Sequence, residues 1–139
     1  MRLMGLDFGS KTVGVAVSDE LKMTATGVEI VRRESPNKLR RTLARIGELL
    51  KEYDVNTVIL GYPVMLDGSE GERVEKTKEF AQMLERRTGV QIIFQDERLT
   101  TVEAYEIMDQ MGIKKDDRYK YVDMLAAKFI LEDYLNNRK

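Results

Sequence analysis

LMGLDFGSKTVGVAVSD, residues 3–19, reads as an apolar strand that ends on a carboxylate, turns through glycine and runs back as a second strand. Side chains alternate across a strand, so Leu3, Gly5 and Asp7 share one face while Met4, Leu6 and Phe8 share the other. Asp7 therefore stands at the rim of a hairpin, on a face floored by Gly5. A glycine two residues earlier leaves room beside the carboxylate, which suits a metal ion or a phosphate. Aspartate is also a common turn residue, and within this stretch alone Asp7 could equally cap the turn with Gly9.

Outward from the hairpin, Thr24 to Val31 is a third strand, reached by a turn over Asp19 to Met23, which makes an antiparallel meander. Ser35-Pro36 carries the signature of a helix start, and Leu39, Leu43, Ile46, Leu50 and Tyr53 follow at helical spacing. The opposite face of that helix carries Lys38, Arg41 and Arg45, with Arg32 and Arg33 just before it. Most such runs are only a solvated face, but this is the one evident basic patch for a phosphate backbone. Thr57 to Gly61 is wholly apolar, as a strand covered on both sides and parallel to its neighbour should be.

A polar loop from Val64 to Gly71 leads to Ser69-x-x-Glu72, a capping-box pattern for a helix through about Arg87, with Val74, Thr77, Ala81 and Leu84 inward. Gly89 ends that helix and Val90 to Phe94 is the fifth strand. The charged cluster Gln95 to Thr101 lies just past it, where ligands bind in open α/β sheets. Thr100-x-x-Glu103 starts a further helix to about Met111, and a last helix runs from about Tyr119 to Asn136. Its inner stripe of Val122, Leu125, Ala126, Phe129 and Ile130 contains Asp123, a charge that needs a reason there. The alanines one turn on, Ala126 and Ala127, let the helix approach the sheet and bring Asp123 toward the strand ends. The order βββαβαβαα describes an α/β fold: a mixed five-stranded sheet with helices on both faces, in a single domain over residues 1–139.

Composition narrows the chemistry. The 139 residues contain no histidine and no cysteine, which excludes a Ser-His-Asp triad, a thiolate nucleophile and the usual zinc sites. Any hydrolytic chemistry must come from carboxylates, lysine or hydroxyls, and carboxylates favour hard cations such as Mg2+ or Mn2+. Asp7, Glu97 and Asp123 stand where such a cage can form. Glu97 and Arg98 also have the plainer role of surface ions paired with neighbours, and Asp96 that of a turn residue. A net charge of −1 means that nucleic-acid binding would rest on a local patch. No apolar run approaches the length of a membrane span, and no signal peptide precedes the first strand, so a cytoplasmic protein without membrane partners is expected.

LMGLDFGSKTVGVAVSD, ILGYPVMLDGSEG (59–71), FQDERLTTVEA (94–104) and VDMLAAKFILEDYL (122–135) together resemble the YqgF/RuvX family of nucleases, related to Holliday junction resolvases within the RNase H superfamily. The resemblance implies an RNase H-like fold and a metal-dependent nuclease acting on RNA, in particular the 5′ end of the 16S ribosomal RNA precursor, or on branched DNA. It implies Asp7, Glu97 and Asp123 as the catalytic, metal-binding acids with Mg2+ or Mn2+, Asp96 as their support, and Lys11, Arg98 and Thr100 as contacts to phosphate. Junction resolution would further call for two sites and hence a homodimer. Two departures touch the substrate contacts: Thr12 follows Lys11 where the family commonly has a basic residue, and Tyr62, Val64, Met65 and Leu66 alter the usual loop. Two other classes remain open, a non-catalytic RNA-binding factor of ribosome assembly and an actin-like ATP-binding domain, whose phosphate-contacting hairpin has the same DxG motif.

Overall fold

The computed structural model describes residues 1–9, 11–36, 38–62, 71–96, 110, 112 and 118–137; of residues 96, 118–124 and 137 it describes the backbone alone. Five strands form one sheet: β1 (Arg2–Phe8), β2 (Thr12–Ser18), β3 (Ala25–Arg32), β4 (Val55–Tyr62) and β5 (Gln91–Asp96), in the order β3-β2-β1-β4-β5. β1–β2 and β2–β3 pair antiparallel, while β4 is parallel to both β1 and β5, so the meander and the mixed sheet are as expected. Three helices are described: α1 (Arg40–Glu52), α2 (Glu72–Thr88) and α3 (Arg118–Asn137). Of the helix expected over Thr100 to Met111 only Gln110 is described, and it is helical; the rest lies outside the described residues.

The two faces are buried separately, as the alternation along β1 requires. Met4, Leu6 and Phe8 join Val58 and Leu60 beneath Leu43, Ile46 and Leu50 of α1 and Phe80 and Leu84 of α2. Phe8 and Phe80 stack with ring centroids 4.3 Å apart, a contact that ties the end of β1 to the middle of α2. On the other face Leu3, Ala16, Ala25 and Ile59 pack against Ala127, Ile130, Leu131 and Leu135 of α3. β4 serves both layers, which is why Val58, Ile59 and Leu60 are consecutive and all fully buried. Among the described residues no helix is long and apolar enough to cross a membrane.

Most strand ends shift by one or two residues, β4 for instance running from Val55 to Tyr62 rather than from Thr57 to Gly61, and three boundaries differ with a consequence. α1 starts at Arg40 after Leu39, without a side-chain cap, rather than at Ser35-Pro36. Those two residues form a separate turn instead, in which Lys38 N–H reaches the Ser35 carbonyl and the Arg33 side chain donates to the Pro36 carbonyl. α2 takes Gly71 as its N-cap, so Glu72 is the first helical residue and not the third that a reciprocal capping box needs. β5 continues to Asp96, which pairs with Tyr62, so Gln95 and Asp96 belong to the strand and not to the loop beyond it. The far end of α2 is as expected: Gly89 adopts φ +74°, and its N–H closes on the Glu85 carbonyl.

The β2–β3 turn is organised by Asp19, whose carboxylate accepts from the backbone N–H groups of Met23 and Thr24 at 2.8 and 3.0 Å. Both bonds favour the charged form and hold the carboxyl below its ordinary 3.8. A lowered folded-state value stabilises the protein above the unfolded-state value and loses that contribution as pH falls through the folded one. Carboxyl-detected NMR titration should therefore find Asp19 below 3.8, and Asp19→Asn should flatten the acid limb of stability against pH. An ordinary titration would show that the turn does not depend on the charge.

Candidate active site

β1, β4 and β5 run in the same direction, so their carboxyl ends share one edge of the sheet, and Asp7 sits at that edge. It is 8% exposed and on the face covered by α3, since it shares the orientation of Leu3 and Gly5. A carboxylate this buried is tolerated only where other groups engage it, and Asp7 is so engaged. Its partner on β2 is Gly14, and one step beyond the Leu6–Leu60 row brings it level with Gly61 on β4. Neither flanking residue has a side chain, so the sheet leaves the carboxylate clear on both sides within its own row.

Gly5 has a different job from the one its spacing implied. A Cβ there would meet the Ala127 carbonyl oxygen at 2.7 Å and the Leu131 Cβ at 2.9 Å. The space is filled by α3, so the glycine admits a helix rather than a ligand. The close approach expected from Ala126 and Ala127 is thereby present, with both alanines buried. Asp123 lies in α3 one turn before Ala127, and its side chain is outside the described residues, as are all of Glu97, Arg98 and Thr100. Asp96 ends β5 beside Tyr62. Among the described residues no three acidic side chains gather in a metal-binding group.

The basic residues divide. Lys11 is exposed in the β1–β2 turn, and its carbonyl accepts from Arg33 N–H. Arg41 is exposed at the start of α1. Arg45 is committed to the protein itself: both of its edges are taken, by Glu29 at 2.7 and 2.9 Å and by Glu48 at 3.0 Å. The guanidinium holds the Glu29 carboxyl below its ordinary range. One helical turn thus separates an available arginine from an engaged one, a difference that helical spacing alone does not carry.

Arg33 is a residue whose place spacing underrated. Its Nη2 donates to the Gly9 carbonyl at 2.6 Å, and its guanidinium lies 4.8 Å from the centroid of the Phe8 ring. It therefore holds both residues that follow Asp7. Burial pushes its guanidinium below the ordinary arginine value, and Nη1 is buried with no hydrogen-bond partner among the described residues. The available signal was its position at the end of the third meander strand, which returns the chain to the Asp7 edge.

Comparison with known proteins matches this arrangement. The family described as "RuvX: Holliday junction resolvase" matches residues 1–137. The chain belongs to the RuvX family. Among RuvX relatives, a protein of Agathobacter rectalis named "Putative pre-16S rRNA nuclease" is 62% identical over 136 residues, covering 98% of this chain and 95% of its own. One of Lachnospira eligens with the same name is 49% identical over 139 residues, covering 100% and 99%. Among solved structures, RuvC of T. thermophilus in complex with a Holliday junction substrate superposes with a TM-score of 0.60 at 18% identity, over 99% of this chain and 95% of that one. The fowlpox virus Holliday junction resolvase gives 0.59 at 18%, over the full length of both. At these identities the likeness speaks for the fold: this RuvX chain has the sheet and helix arrangement of the RNase H-like resolvases.

Proposed function

We propose that this protein is a divalent-metal-dependent nuclease that hydrolyses phosphodiester bonds in structured nucleic acid, with the 16S ribosomal RNA precursor as its first substrate and branched DNA as the second. The observation that carries the proposal is Asp7: a buried carboxylate at the carboxyl edge of the parallel strands, flanked in its row by glycines, on the face that α3 covers. The names of the relatives point to the RNA, and the family's description points to the junction.

The residues fit a hard cation. Asp7 offers carboxylate oxygen, and the chain has no histidine or cysteine to select a softer metal. Asp7, Glu97 and Asp123 would hold it. Support for Asp123 comes from the backbone, because α3 runs antiparallel to β1 with Ala127 at Gly5 and Leu135 near Ala25. Two strand residues advance about 6.6 Å and four helical residues about 6 Å, so the step from Gly5 to Asp7 matches the step from Ala127 back to Asp123. For Glu97 the support is position, one residue beyond Asp96 at the end of β5. A bound Mg2+ or Mn2+ supplies the positive charge that polarises the phosphoryl oxygen and eases deprotonation of the attacking water. The protein's part would be to hold Asp7 on the sheet edge, with Glu97 and Asp123 brought to it, and to orient the phosphate through Lys11, Arg98 and Thr100.

Purified protein should cleave a 16S precursor fragment or a synthetic four-way junction in Mg2+ or Mn2+, and excess EDTA should stop it. Cleavage indifferent to EDTA would overturn the metal-dependent mechanism. Binding without cleavage under any divalent metal would leave a non-catalytic RNA-binding factor in its place.

A further inference from the structure

A groove of about 770 Å³ runs between the 32–41 segment and the C-terminal half of α2. It is lined by Arg32, Arg33, Lys38, Arg40, Arg41 and Arg87, with Glu34 as the one acid among the described lining residues. The chain as a whole carries −1, so this concentration of cations is local. Apart from Arg33 these cations are exposed, and among the described residues none of them forms an ion pair. Arg45, on the same helix, is the contrast, since Glu29 and Glu48 neutralise it. Clustered like charges left without counter-charge weaken a fold by mutual repulsion, and a bound polyanion relieves that cost.

A second cavity, of about 550 Å³, shares Arg33 and Leu39 with the groove and extends to Phe8, Gly9 and Thr12; its α2 wall is of mixed charge, with Arg73 and Lys76 beside Glu72 and Glu79. The two adjoin at Arg33 and Leu39, so together they run along the α1/α2 side of the sheet from the β1–β2 turn to the C-terminal half of α2, and a strand from the Asp7 carboxylate on the α3 side reaches them over the sheet edge at Phe8 and Gly9. The path also has apolar surface: Leu39 and Met83 line it, and Met83 is 38% exposed. A run of cations that can track a phosphate backbone is the electrostatic half of a single-strand channel, and Leu39 and Met83 offer apolar rather than aromatic surface beside it.

We propose that this groove carries the single-stranded extension that flanks the scissile bond, with Arg40, Arg41 and Arg87 on its phosphates and Arg33 at the point where the strand leaves the active site. The proposal rests on the nuclease reading above and adds the path of the substrate outside the acids.

The probe is a fluorescein-labelled RNA hairpin with a single-stranded tail of about 10 nucleotides, long enough to fill a binding groove. Anisotropy is read in Ca2+ between about 50 and 200 mM KCl, where phosphate contacts show as a salt slope. Arg41→Glu/Arg87→Glu should weaken binding of the tailed hairpin by about tenfold or more and lower the salt slope by about 1.4, about 0.7 per lost contact to a single strand. Lys22→Glu/Lys51→Glu, the same change of net charge away from the groove, at the half-buried Lys22 of the β2–β3 turn and the exposed Lys51 of α1, should leave binding within about twofold, as expected if local contacts rather than the overall field bind the tail. The chain has no cysteine, so Met83→Cys can be labelled uniquely with a benzophenone and should crosslink the tail, whereas Asn56→Cys should not. Wild-type protein that cleaves in Mn2+, with equal binding by the two double variants or equal crosslinking from both cysteines, would overturn the groove alone. Wild-type protein that neither cleaves nor binds would remove the nuclease reading and the groove with it.

Discussion

Asp7→Asn is expected to lower metal-dependent cleavage by about a thousandfold or more, with the protein still folding cooperatively, because the charge that holds a hard cation is removed at nearly constant shape. The amide retains one oxygen but loses the negative charge, and it brings an NH2 group toward the place where a cation would sit. The flanking Gly14 and Gly61 have no side chain to take over the ligand's role. Asp7→Glu should fail as well, since the residue is 8% exposed and an added methylene moves the carboxylate away from the position at which it would meet the other acids. Single-turnover cleavage with excess enzyme separates the chemical step from product release. Mn2+ affinity, followed by the relaxation of bulk water, should fall in parallel with cleavage. An Asp7→Asn protein that cleaves within tenfold of wild type would remove Asp7 from the chemistry, whatever its burial.

The face of Asp7 was legible because alternation along β1 has no freedom: once Met4, Leu6 and Phe8 face one layer, Asp7 must face the other. That β4 is covered on both sides and parallel to its neighbours was legible for a similar reason, from three consecutive apolar residues at Val58 to Leu60, whereas that one of those neighbours is β1 came only from the structure. Helix starts were less legible. Ser35-Pro36 has the right residues for a cap, yet the Arg33 side chain takes the Pro36 carbonyl and the Gly9 carbonyl together, and the helix begins five residues after Ser35. That contact spans the β1–β2 turn and the end of β3, so no local window contains it. The same holds for Arg45, whose Glu29 partner comes from a strand sixteen residues earlier. Long-range ion pairs decide which cations of a run are available, and periodicity is silent about them.

Gly5 joins stability to catalysis, because α3 lies against it too closely for a side chain. Gly5→Ala is expected to destabilise the protein by about 1–3 kcal/mol, the usual range for forcing an extra methyl into a filled site. At about 2–8 °C per kcal/mol for domains of this size range, the fall in Tm is readily measured by thermal denaturation. The obstacles are the Ala127 carbonyl oxygen and the Leu131 Cβ, not the tip of a flexible side chain. Truncating Leu131 to alanine keeps that Cβ and so should not rescue the variant. Relief requires α3 to move away from β1, and Asp123 moves with it, being one turn from Ala127 on the same helix. Cleavage measured well below the lowered Tm should therefore fall further than the loss of folded protein accounts for. A Gly5→Ala protein with unchanged Tm would show that α3 yields without cost. One that loses stability but keeps full activity per folded molecule would show that the spacing of α3 from the sheet does not matter to the acids.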